Sequence, residues 1–143
     1  LLNKAENKEY VKAKNEDDMH MMLGIQGQKG DVHIQFCQSI NDKLDGLREI
    51  KNRNQLLKTV SSIVDAEIYT NYKFWNSNYV AYDLLHNTEK YIAKYRSGGK
   101  EEFVSRMNER LVNFKGNELA EEIFLKMYAN PIINAEKVKE GLV

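Results

Sequence analysis

Pro131 is the only proline in 143 residues. A chain holding so little of the main helix breaker, where about 5% is ordinary, is free to make long helices, and this points to an all-α fold before any periodicity is counted. No period-two alternation runs for more than a few residues, and no internal repeat is present. A length of 143 residues suits one helical domain over residues 1–143, with residues 1–18 as a weakly amphipathic helix or a loosely ordered arm.

The strongest helical signal runs over residues 55–96. Leu57, Val64, Ile68, Tyr72, Trp75, Tyr79 and Tyr82 fall within roughly 80° of one another when projected at about 100° per residue. Lys58, Asp65, Lys73, Asn76, Asp83 and Lys94 take the opposite side. The spacing predicts a helical bundle organised around one long aromatic-rich helix, with shorter N- and C-terminal helices. At about 1.5 Å per residue that helix would be about 60 Å long, more than a compact domain of this size needs, so it must project, bend or pair. Gly98 and Gly99 mark its end, with Lys94 and Arg96 suited to the negative pole of its last turn.

The flanking segments read as shorter pieces. Met19 to Leu23 form the first apolar cluster, and Gly24, Gly27 and Gly30 punctuate a loop after it. Asp31 is placed to cap a helix in which Phe36, Cys37, Ile40, Leu44, Leu47 and Ile50 form a core-facing stripe. Residues 51–55 are a turn or an exposed connection. After residue 99, Phe103, Met107, Leu111 and Phe114 define a helix that Gly116 breaks. Asn117 caps the next one, whose stripe of Leu119, Ile123, Phe124 and Met127 is expected to stop at Asn130 and Pro131, with a short helix near 134–140 to follow.

Charge and motifs exclude several functions. Lys plus Arg and Asp plus Glu both total 21, so no net field favours a polyanion, and nucleic-acid binding is disfavoured. A local excess of Lys43, Arg48, Lys51, Arg53 and Lys58 over Asp42, Asp45 and Glu49 is ordinary for a solvated helix end. No run approaches the roughly 18 apolar residues of a membrane span. Leu1 in place of an initiator methionine leaves room for a preceding leader or domain, and the compartment is not legible. The glycine spacing lacks the features of a phosphate loop, and no nucleophile-elbow motif occurs. Cys37, the one cysteine, reads as core filler. His20, His33 and His86 do not form a metal-binding pattern; Asp83 and His86 stand three apart but make only half a site. No catalytic residue, metal or cofactor is assigned, and the chain leans away from enzymes.

One constellation stands out. Six of the eight tyrosines and the only tryptophan fall between residues 69 and 95, and His86 continues the row of Tyr72, Trp75, Tyr79 and Tyr82. Such a row makes either a packing seam or a partner surface. Glu67, Asn71, Asn78 and Glu89 project from its apolar side, where a polar group needs a hydrogen-bond partner: another helix, water or a ligand. Binding is therefore expected at Glu67, Asn71, Tyr72, Trp75, Asn78, Tyr79, Tyr82 and His86. The expected function is a non-enzymatic interaction or structural protein, such as an accessory subunit of a bacterial assembly, using the long helix for a protein partner or for self-association. The alternative is a small-ligand-binding bundle or enzyme with its polar site on that helix.

Overall fold

A computed structural model of the chain describes residues 6, 8–27 and 30–141. Among them the protein is all-α, with six α-helices, two short 3-10 turns and no strand. Contacts divide it into two units, Leu1–Ile34 and Gln35–Val143. The first contains helix α1 (Glu16–Gln26), whose acidic opening Glu16, Asp17 and Asp18 suits the positive pole of the helix. Helix α1 therefore starts near the end of the expected arm and runs through Met19, Leu23 and Gly24; it buries no residue. Residues 1–5 and 7 of the arm lie outside the described residues.

The second unit holds α2 (Asn41–Asp45), α3 (Arg53–Thr70), α4 (Asn76–His86), α5 (Gly99–Arg110) and α6 (Glu118–Lys139), with 3-10 turns at Ile92–Lys94 and Val112–Phe114. The helix expected from Phe36 onward shrinks to α2. Residues 31–40 carry no regular structure, so Asp31 caps nothing and Cys37 is exposed rather than core. A short helix with no side-chain cap and no buried residue has little to hold a longer stripe together.

The aromatic-rich segment is helical for most of its first two-thirds, as two helices with a break at residues 71–75. Asparagines make that break. Asn71 Nδ2 donates to the Glu67 carbonyl at 2.9 Å, occupying the acceptor that the Asn71 N–H would use in a continuing helix. Across the gap, Asn78 Oδ1 accepts the Trp75 N–H at 2.8 Å and closes the first turn of α4 from the inside. The second helix ends at His86, well before Gly98. Asn87 takes the left-handed conformation (φ 50°), and Thr88 N donates to the Asp83 carbonyl at 2.9 Å while Asn87 N reaches Leu84 O at 3.4 Å. This is a Schellman stop with asparagine in the glycine position. Gly98, also left-handed at φ 69°, instead precedes α5 as its N-cap.

The core lies where α4 meets α6 and α5. Val80, Ala81, Phe103 and Ala129 are its buried centre, with Phe124, Tyr128, Leu84 and Leu85 packed around them. Asn117 caps α6 as expected, its Oδ1 accepting from Ala120 N at 3.0 Å. That helix then runs straight through Pro131 to Lys139, so the expected stop and the separate short helix are replaced by one helix of 22 residues. An interior proline costs about 3 kcal/mol or more. Ala129, Ile132 and Ala135 are buried on either side of it, and losing both flanks would cost more than the missing hydrogen bond.

Candidate functional site

Two polar clusters organise the end of α4. The first is centred on Asp83, expected on the solvated side of the helix but only 3% exposed. Because α4 stops at His86, the chain turns back over that side and covers it. Asp83 Oδ1 accepts from Thr88 Oγ1 at 2.8 Å; Oδ2 accepts from Tyr91 N at 2.9 Å and Tyr95 Oη at 3.0 Å. The carboxylate thus ties down the segment after α4. Burial first, and the hydrogen bond to Asp83 second, push the Tyr95 phenol above its ordinary range. An open depression of about 480 Å³ beside it is bordered by Leu84, Thr88, Tyr95 and Lys100, and the carboxylate at its base has both oxygens occupied.

The second cluster joins α4, the returning segment and α6. Glu136 accepts from Tyr91 Oη at 2.6 Å and from Tyr82 Oη at 3.3 Å, and pairs with Lys90 Nζ. Lys90 Nζ also lies 5.1 Å from the Tyr82 ring centre and 5.2 Å from that of Tyr91, within cation–π range. Burial raises the Glu136 carboxyl, but the hydrogen bonds from Lys90, Tyr91 and Tyr82 outweigh it and hold the carboxyl below its ordinary value. Its carboxylate bond holds the Lys90 ammonium above its ordinary range. Burial, followed by the Glu136 bond, pushes the Tyr91 phenol up to about 12. A lysine or tyrosine that works as base or nucleophile near neutrality needs the opposite shift.

The structure places the expected site residues in three groups. Glu67 and Asn71 close the end of α3: Glu67 Oε1 accepts from Asn71 Nδ2 at 3.1 Å and Gln38 N at 3.2 Å, and Oε2 pairs with Lys43 at 3.2 Å. The Lys43 bond is the main reason the Glu67 carboxyl sits below its ordinary value. Asn78 is buried and spans from Trp75 N to the Tyr128 carbonyl of α6, which its Nδ2 meets at 2.8 Å. The third group is aromatic. Tyr72 packs tilted against Phe74 at 5.3 Å, Phe74 against Tyr79 at 6.0 Å, and Tyr79 against Tyr91 at 5.3 Å; Tyr91 meets Tyr82 at 5.1 Å, and Tyr82 meets His86 at 4.5 Å.

Trp75 stands outside this ladder. It precedes α4, with Lys73 Nζ 5.8 Å from its ring centre. Phe74 and Tyr91, absent from the sequence-derived site, take places in the ladder instead. Glu136, Lys90 and Asp83 were likewise missed. Asp83 does carry a signal, since an acidic residue three positions from a helix end suits a returning chain that must be capped; Glu136 carries none. Among the described residues no group of three His, Cys, Asp or Glu could hold a metal, and no buried side-chain polar atom lacks a partner. Among the described residues no helix is long and apolar enough to cross a membrane. No family model matches the chain, and neither does any curated protein or solved structure.

Proposed function

We propose that the chain is a non-enzymatic helical interaction protein, a structural or accessory subunit of a larger bacterial assembly, which meets its neighbour through α3 and the aromatic residues that follow it. The observation that carries this reading is that α3, 18 residues with an apolar row at helical spacing, has no fully buried residue. Leu57 is 55% exposed, and Ile68 and Tyr72 are also open to solvent. A row of this kind is the usual material of a helix–helix contact. The partner is a protein offering an apolar helix of its own. A second copy of this chain meets that description, since it presents the same row and the chain's net charge of zero sets up no overall repulsion.

What weighs against ligand chemistry is the use already made of the polar residues. Glu67, Asn71 and Asn78 spend their hydrogen-bonding atoms within the chain, on ending one helix and starting the next and on Gln38, Lys43 and the Tyr128 carbonyl. The test is multi-angle light scattering over a concentration series on the intact chain and on Leu57→Glu/Ile68→Glu. The intact chain should associate, and the double variant should lose that association while keeping its melting temperature. An intact chain that stays monomeric throughout, or a variant that associates equally well, sinks the reading.

A further inference from the structure

The cluster at Glu136 has the form of a cage around a cation. Tyr82 and Tyr91 meet edge to face, with ring planes at 83° and centres 5.1 Å apart, and so make two walls of a corner. The Lys90 ammonium lies in that corner, 5.1 Å from one ring centre and 5.2 Å from the other. The Glu136 carboxylate pairs with it on a third side, and Tyr82 Oη accepts from Nζ at 3.4 Å. Ring faces and a carboxylate gathered about one positive charge are the means by which proteins hold organic ammonium ions.

The walls do not depend on their occupant. Tyr91 is anchored twice without Lys90, its N–H donating to Asp83 Oδ2 at 2.9 Å and its Oη to Glu136 at 2.6 Å. Tyr82 packs against the core from α4, leans on His86 at 4.5 Å and donates from its Oη to Glu136 at 3.3 Å. The Lys90 side chain, by contrast, is 48% exposed, on a long stem that can swing into water without moving the backbone. We propose that this cage is a binding site for a methylated ammonium group, with Lys90 as a built-in occupant that such a ligand displaces. A lysine ammonium is strongly hydrated and regains its water on leaving. A quaternary ammonium gives up less on entering, and its methyl groups carry the charge against both ring faces while Glu136 balances it. The site uses α4, the returning segment and α6 and no residue of the α3 row, so it stands or falls apart from the contact proposed above.

The test is a titration of choline into the full chain and into Lys90→Ala, following the tyrosine ring signals by NMR at constant ionic strength, with sodium as the reference cation. Choline should move the Tyr82 and Tyr91 signals in both proteins and leave that of Tyr10, exposed and in the other unit, in place. Lys90→Ala should bind about tenfold more tightly or better, because an occupant present about nine-tenths of the time weakens apparent binding about tenfold. Lys90→Ala/Glu136→Gln, which takes away the balancing charge, should bind much more weakly than Lys90→Ala. A peptide carrying trimethyllysine, run beside choline, separates the two sources of such a group, the tighter of the two naming the ligand as a side chain or a free molecule. Tyr82 and Tyr91 signals that respond to choline no more than to sodium overturn the proposal, and the native chain alone is enough to read that result. Equal affinity in the native chain and Lys90→Ala also overturns it, since the ligand would then sit away from Lys90. Lys90→Gln takes the place of Lys90→Ala if that variant does not fold.

Discussion

Helices α3 and α4 come from one stretch of apolar periodicity, yet only α4 is built into the core. Val80 and Ala81 on α4 are fully buried in the core with α6, whereas α3, the longer helix, has no fully buried residue; Leu56, Val60, Ile63 and Val64 are half-buried. The difference lies in what each one faces. Helix α6 offers α4 the small side chain Ala129, with Phe124, Leu125, Tyr128 and Ile133 packed around it, which lets the two helices exclude water. A contact that α3 makes with α6 is a polar hook near its end, Asn134 Nδ2 to Tyr69 Oη at 2.8 Å. Periodicity thus states that a helix has an apolar face; it does not state that the same chain will cover it.

The largest test of this contrast is Phe103→Ala. Phe103 is 4% exposed and packs on Phe124 and Tyr128 at 5.9 and 5.3 Å, so its loss should cost about 3–5 kcal/mol in chemical denaturation. A cost below about 1 kcal/mol would mean that the α4–α5–α6 core is not the stabilising centre.

A smaller loss is expected from Asp83→Ala, which strips the acceptor from Thr88, Tyr91 and Tyr95. About 1–3 kcal/mol should be lost, and amide hydrogen exchange should speed up over residues 87–96 while α3 stays unchanged. Equal acceleration in α3 would show that the two regions unfold as one.

The Glu136 cluster supplies a pH signature that α3 lacks. A carboxyl held below its ordinary value of 4.5 contributes stability that is present above 4.5 and lost as the pH falls through its folded pKa. Tyr91, raised from 10.0 to about 12, contributes stability that is intact below 10 and lost as the pH climbs towards 12. Glu136→Gln should therefore flatten the acid limb of the stability profile and weaken the alkaline one. Profiles that superimpose on the native protein's would remove Glu136 from any such role.

The smallest effect belongs to Leu57→Ala on α3. With Leu57 55% exposed, stability should move by no more than about 0.5 kcal/mol when the chain is dilute. A loss near that of Phe103→Ala would show that α3 is covered within the chain after all.

Much of the residue-level detail was legible in advance. Asn117 capping α6, Phe103 facing inward and the pairing of Tyr82 with His86 one turn on follow from spacing and side-chain chemistry, whereas Tyr72, Tyr79 and Tyr82 are joined only through Phe74 and Tyr91. The polar positions Glu67, Asn71 and Asn78 on the apolar side were legible as an anomaly, but projecting them on one continuous helix hid its meaning. Asn71 and Asn78 lie where the helix stops and restarts, and their side chains replace backbone hydrogen bonds there. Cys37 misled for a related reason: three-four spacing from Phe36 onward suggests a buried stripe, while too little packs on it to hold the helix.

By itself the sequence determined the all-α class, because a chain with one proline and apolar residues at helical spacing satisfies its backbone locally, through bonds between near neighbours. Tertiary structure alone decided that Pro131 is carried inside a helix, that Asp83 is buried, and that Lys90, Tyr91, Tyr82 and Glu136 share one cluster. Each of these depends on groups brought together from distant parts of the chain. Glu136 lies 46 residues from Lys90 and 54 from Tyr82, and no local pattern records which residue will arrive opposite another once the helices have packed.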